Sequence, residues 1–113
     1  MFNESLAFAN GPVEAISLPN RPNSPEESYK AIFLNGKNRK VMNQLCNAEY
    51  AVIDGEVTFV LWGSDGKETI FNLKKGEKIS ISARTAYRDN GLGIMINRCH
   101  PSFDKDQVVL LEE

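Results

Sequence analysis

The sequence predicts an all-β fold, a sandwich or barrel, and two observations predict it. Five glycine-centred corners recur along the chain, Asn35-Gly36, Asp54-Gly55, Asp65-Gly66, Lys75-Gly76 and Asn90-Gly91, with short runs rich in Val, Ile, Phe and Tyr between them. Glycine accepts positive φ without a Cβ clash, so Asn-Gly and Asp-Gly pairs are favoured in tight hairpins. No long run of helical period interrupts the series, which is the pattern of an all-β domain. The chain has 113 residues, of which 42% are hydrophobic and 25% charged, enough for one soluble domain with a core of its own.

Residues 1–30 read differently from the rest and are expected to form an N-terminal arm packed on a barrel of residues 31–113. Pro12, Pro19, Pro22 and Pro25 lie in this stretch, and proline can be neither a central strand residue nor a helix interior residue. A short strand over Val13 to Leu18 is followed by a loop, with Phe2, Leu6, Phe8, Ile16 and Leu18 as apolar anchors. Strands are then expected at Ala31 to Leu34, Val41 to Cys46, Tyr50 to Ile53 and Val57 to Trp62. Thr69 to Leu73, Lys78 to Ser82, Leu92 to Arg98 and a closing Val108 to Leu111 complete the set. The runs VTFVLW and AIFL are apolar on both faces, whereas a strand with one buried face alternates. Their outer faces therefore need a cover, either the arm or a second subunit.

Composition excludes several classes. A net charge of −2 gives no electrostatic reason to expect nucleic acid or an anionic membrane surface. Lys74, Lys75, Lys78, Arg84 and Arg88 form only a loose basic grouping, read as a solvated strand edge. No apolar run approaches the roughly 18 residues of a transmembrane helix, and the first residues lack the pattern of a secretory leader. A cytoplasmic setting is expected. Cys46 and Cys99 are too few for a disulfide framework and read as buried free thiols.

The stretch from Asn47 to Asn90 resembles a cupin, a small β-barrel of jelly-roll type. EYAVIDGEVTF at Glu49 to Phe59 is similar to the family's E-x-x-Y-V-x-x-G-E hairpin, and LKKGEKISISARTAYRDNG at Leu73 to Gly91 is similar to its second motif. The ending CHPSFDKDQVVLL resembles that of some small cupins. The resemblance implies a homodimer. Metal-binding cupins take His, His and Glu from the first motif and His from the second. Carried onto this chain, those positions fall on Val41, Asn43, Ala48 and Tyr87. Imidazole and carboxylate offer lone pairs to a metal; Val and Ala offer none, and Asn and Tyr are poor substitutes. The expectation is a cupin with no metal ligands and no cofactor.

Asn43, Tyr50, Tyr87 and Arg84 are the candidate ligand-binding residues. By the cupin pattern Tyr50 and Tyr87 point into the barrel, where a phenol joins an apolar ring to one polar handle. Filling of a vacated metal site is the alternative role for both. Asn43 adds an amide that donates and accepts, and Arg84 a cation suited to a carboxylate or phosphate, or else to an exposed turn. Trp62 reads as packing or an interface anchor. His100 is the single histidine and reads as structural or surface; a mixed site with Cys46 and Cys99 has no zinc-type spacing behind it. No catalytic constellation is visible. Three functions stay open: a metal-independent barrel binding a small molecule, in a sensory or accessory role; a metal-free isomerase, epimerase or lyase whose base is unidentified; and an interaction protein with a filled barrel.

Overall fold

Alternating burial along long strands curls one sheet around its own inner face. The computed structural model describes residues 13–18, 27–101 and 105–111. The strands are β1 (Val13–Leu18), β2 (Ser28–Lys37), β3 (Val41–Asn43), β4 (Asn47–Trp62), β5 (Glu68–Lys74), β6 (Lys78–Ile81), β7 (Ala86–His100) and β8 (Val108–Leu110), with a 3-10 turn at Lys105–Gln107. Together they make one eight-stranded antiparallel sheet in which β7 is the spine, pairing β4 throughout, β2 along most of its length and β3 at its start. Most of the arm and its anchors Phe2, Leu6 and Phe8 lie outside the described residues. Its strand β1 pairs with β2, from Val13 opposite Leu34 to Leu18 opposite Tyr29. No helix among the described residues is long and apolar enough to cross a membrane.

Two of the five glycine corners are turns, at Asp65-Gly66 and Lys75-Gly76. The other three lie inside long strands, so the expected hairpin at Asp54-Gly55 is a bulge in a 16-residue β4, with the register shifting between Val52 and Asp54. The physical reason is close backbone approach rather than chain reversal. A Cβ on Gly55 would meet the Leu92 carbonyl oxygen at 2.2 Å, and one on Gly91 would meet that of Glu56 at 2.5 Å. Gly55 and Gly91 also have φ of 84° and 133°, so a side chain there is excluded twice over. These points let β4 and β7 bend together around the barrel corner.

The inner face carries Leu34, Val52, Val57, Phe59, Ile81 and Met95, each nearly or wholly inaccessible to solvent. VTFVLW is less exposed than its pattern suggests, because Val60 points outward yet is only 7% exposed within its own chain. Exposed apolar side chains stand on AIFL and its neighbours, Phe33 on β2, Ile53 at the bulge and Leu92 on β7, and also at Leu45, at Ile70 and Phe71 on β5, and at Leu110.

Candidate functional site

Polar side chains share the inner face with that apolar core. Lys30, Asn43, Asp89, Asn97 and Gln107 are all buried. The strand register explains the grouping. On β7 the inward parity of Tyr87 carries to Asp89, Asn97 and Cys99. On β4 it places Ala48 and Tyr50 inward and turns Glu49 out toward Lys78 and Arg98, each 3.8 Å away. Lys30, Asn97 and Tyr50 stand in one row across β2, β7 and β4.

Tyr50 and Tyr87 meet at the centre, their hydroxyl oxygens 2.6 Å apart. Phe59 walls the pair, its ring centroid 5.0 Å from that of Tyr50 and 6.4 Å from that of Tyr87. A run of hydrogen bonds leads to this pair from the backbone. The Leu45 and Cys46 N–H groups donate to Gln107 Oε1 at 2.8 and 3.3 Å. Because that oxygen is taken, Gln107 presents its Nε2 to Asn43 Oδ1 at 2.8 Å. Asn43 in turn presents Nδ2 to Tyr87 Oη at 3.5 Å. The amides are oriented by the network rather than by choice. Of the two phenol protons, one joins the pair; among the described residues none accepts the other.

Electrostatics keeps those protons in place. Burial pushes the Tyr50 hydroxyl well above the ordinary phenol range, and the neighbouring Tyr87 and Asp89 charges add to it. Burial also raises Tyr87, against the hydrogen bonds from Tyr50 and Asn43 that favour its anion. Asp89, two residues along β7, is 4% exposed and accepts one side-chain hydrogen bond, from Asn38 Nδ2 at 3.1 Å. Burial raises its carboxyl above the usual range, only partly opposed by Asn38 and by its own backbone.

The Cys46 and Cys99 thiols adjoin within the wall and are free. The Cys99 thiol donates to Asn97 Oδ1 at 3.3 Å; its closeness, with the Lys30 charge, holds the Cys46 thiol below its ordinary range against the cost of burial. Cys99 is correspondingly raised. His100 points the other way, its Nδ1 3.9 Å from Glu27 Oε2. Among the described residues no group of three or more His, Cys, Asp or Glu is placed to hold a metal.

Of the candidate residues, the structure brings Asn43, Tyr50 and Tyr87 together and sets Arg84 apart. Arg84 lies in the turn before β7, with φ of 65° and its N–H donating to the Asn43 carbonyl at 2.6 Å. Its side chain is exposed and lines an outer groove of about 640 Å³ with Trp62, Lys40 and Thr85. Lys40 sits 4.1 Å from the Trp62 ring centroid, so Trp62 serves as a surface platform for cations. Sequence reasoning missed Asp89, Gln107, Lys30 and Asn97. Extending the strand back from Leu92 to Tyr87 would have found Asp89 and Asn97 by parity; Gln107 carries no local signal.

No protein-family model matches the sequence, and no curated protein matches it. Solved structures do. Pac13 of Streptomyces, described as a unique nucleoside dehydratase, superposes with a TM-score of 0.73 over 88% of this chain and 78% of its own, at 13% identity. Variants of Pac13 with tyrosine replaced by phenylalanine or histidine by glutamine are known with uridine. Oxalate decarboxylase of Lactobacillus farciminis gives a TM-score of 0.75 over 90% of this chain and 32% of its own, at 16% identity. KdgF from Halomonas sp. gives 0.69 over 86% of both chains, at 13% identity. The fold is that of a cupin jelly roll.

Within a cupin barrel, the positions that hold metal ligands in metal-binding members can be tested for fit. Val41 and Ala48 are buried and apolar. Asn43 has committed its oxygen to Gln107, and Tyr87 is held protonated by burial. This donor set does not fit a transition metal.

Proposed function

We propose that this cupin is a metal-independent binder of a small polar molecule in the barrel interior, in a sensory or accessory role. The observation that carries the reading is the unshared proton of the Tyr50–Tyr87 pair, set between an apolar wall and a directed amide network. Buried polar groups normally have all their partners, so a hydroxyl proton left over inside a barrel fits a ligand's acceptor. Side-by-side free thiols at Cys46 and Cys99 suit a reducing, cytoplasmic setting. The apolar outer face suits a homodimer.

Uridine is the first probe, because Pac13 variants of the same fold are known with it. Calorimetric titration of the protein with uridine and a panel of small polar molecules, followed by tyrosine-ring NMR, tests the reading. A bound molecule should shift the Tyr50 and Tyr87 signals. Tyr87→Phe should then weaken it by about 0.5–1.5 kcal/mol, the net worth of one neutral hydrogen bond. A panel that leaves both rings unmoved would favour a filled barrel instead.

A further inference from the structure

The outer groove beside the start of β7 is better ordered than a solvated strand edge requires. Trp62, Ala86 and Met42 stand opposite one another in a row across β4, β7 and β3, on the face turned away from Tyr87. Leu111 extends this hydrocarbon surface, and Lys40 and Arg84 share the lining. At about 640 Å³ the groove has the size of a small-molecule site. None of the described residues that line it is acidic; Glu68, opposite Trp62 on β5, is exposed and lies outside the lining.

Both cations stand on held backbone. The Lys40 carbonyl accepts the Leu111 N–H at 2.9 Å, and the Arg84 N–H donates to the Asn43 carbonyl at 2.6 Å. Lys40 Nζ lies 4.1 Å from the Trp62 ring centroid and Arg88 Cζ lies 5.5 Å from it. Attraction to a ring orders a cation but leaves its charge in place. Arg84 is the sharper sign. Its φ of 65° is in the left-handed region, which glycine enters without steric cost and a residue with a Cβ does not. Strain kept at a position where glycine would relieve it points to a use for the side chain.

We propose that this groove binds a small amphipathic anion, a phosphate ester or carboxylate held at its charged end by Arg84 and Lys40, with its apolar body along Trp62, Met42 and Leu111. The site is independent of the barrel interior. A guanidinium presents paired N–H donors to either head group, and an ammonium adds a point charge. Exposed ion pairs alone contribute little, so the hydrocarbon surface has to supply part of the affinity. That requirement makes the ligand amphipathic rather than a bare anion.

Trp62 is the single tryptophan of the chain, so its fluorescence, excited at the red edge, reads the groove without a label. The test titrates the full chain with phenyl phosphate, phenylacetate, phenol and inorganic phosphate at low salt. A saturable change is expected with phenyl phosphate or phenylacetate, the tighter of the two assigning the charged end. Phenol and inorganic phosphate should each bind at least about tenfold more weakly. Arg84→Gly, which relieves the backbone, and Lys40→Gln should each weaken the aryl anion about tenfold, and added salt should weaken it further. Lys75→Gln removes a cation outside the groove and should change affinity by less than about twofold. If neither aryl anion saturates the Trp62 signal, the proposal is overturned. Equal losses in Lys75→Gln and Arg84→Gly would also overturn it, since general charge attraction then accounts for binding. NMR of the same samples locates the probe: the Trp62 indole signal should move and the Tyr50 and Tyr87 rings should not. Tyrosine-ring shifts that survive Arg84→Gly would place the aryl anion in the interior and remove the groove site.

Discussion

The two faces of β7 depart at several positions from the usual order of a small barrel. Its inner face carries Tyr87, Asp89, Asn97 and Cys99 at 5% exposure or less, while its outer face carries Leu92 at 66% exposure with Ile94 and Ile96 half-buried. Several polar groups have gone in beside Met95, and aliphatic ones stand out beside Arg88 and Arg98. Burying a polar group costs free energy unless it is hydrogen-bonded, and an apolar outer surface is an aggregation hazard unless covered. A strand that keeps both costs is shaped by use on both faces. That use would be the proposed one, a ligand on the inner face and a partner on the outer.

The outer face gives the largest expected effect. Ile16, Ala31, Ile96 and Ala51 form one apolar row across β1, β2, β7 and β4, flanked by Phe33 and Ile94. A second copy of this chain covering that row gives a closed two-fold dimer, the commonest assembly. Light scattering at low micromolar concentration should read a dimer mass, and Ile96→Lys should weaken association at least about a hundredfold, because the charge would be buried unpaired. A monomer mass for the wild type would assign the face to the arm instead.

On the inner face, Gln107 carries most of the order. Gln107→Leu keeps the bulk and removes the acceptor for the Leu45 and Cys46 N–H groups and the donor to Asn43. Leaving such buried groups without partners should cost about 2 kcal/mol, read as a lower denaturant midpoint. The loss should be accompanied by a change in the Tyr87 ring signals, since Asn43 is then free to turn. A drop in stability with the tyrosines unmoved would mean that Gln107 only caps the bend after β3.

Asp89 is expected to act in the opposite direction. Its folded carboxyl titrates above the unfolded value of 3.8. The native state therefore holds the proton more tightly, and stability falls as pH rises from about 3.8 through the folded pKa, then stays at the lower level. Asp89→Asn keeps the acceptor for Asn38 and removes that penalty. Its Tm should exceed the wild type's at neutral pH, and the difference should close as pH falls below about 4. A variant less stable at pH 7 would mark Asp89 as structural.

Much of this molecule is legible in its sequence, and the illegible part has definite physical causes. The class and the central place of Tyr50 and Tyr87 follow from the corners, the alternation and the likeness of two motifs to those of cupins, whereas the nine strands read from the sequence are eight among the described residues, Tyr50 to Ile53 and Val57 to Trp62 running on as one β4. The long strands do not, because a glycine at a backbone crossing and a glycine at a hairpin tip look alike. Gly55, Gly66 and Gly91 all follow Asp or Asn, but only Gly66 has open space where a Cβ would be. Gln107 was equally hidden: it reaches Asn43 across 64 positions, and no local pattern encodes that contact.

Arg84 separates the inside from the outside with the smallest expected effect. It is the one described non-glycine residue in the left-handed region, at φ 65°, and that conformation costs a side-chain-bearing residue roughly 1–2 kcal/mol. Glycine lacks the cost, though its greater freedom when unfolded offsets about 0.5–1 kcal/mol of the gain. Arg84→Gly should therefore stabilise the fold by about 0.5–1 kcal/mol, seen as a small rise in denaturant midpoint. Its N–H bond to the Asn43 carbonyl survives the change, so the tyrosine pair and its amide network should stay as they are. Affinity for an interior ligand should be unaltered, because the Arg84 side chain lies on the outer groove beside Trp62. Weaker binding in Arg84→Gly would extend the site out through the turn before β7, and would restore the guanidinium as an anchor for a ligand's anionic end.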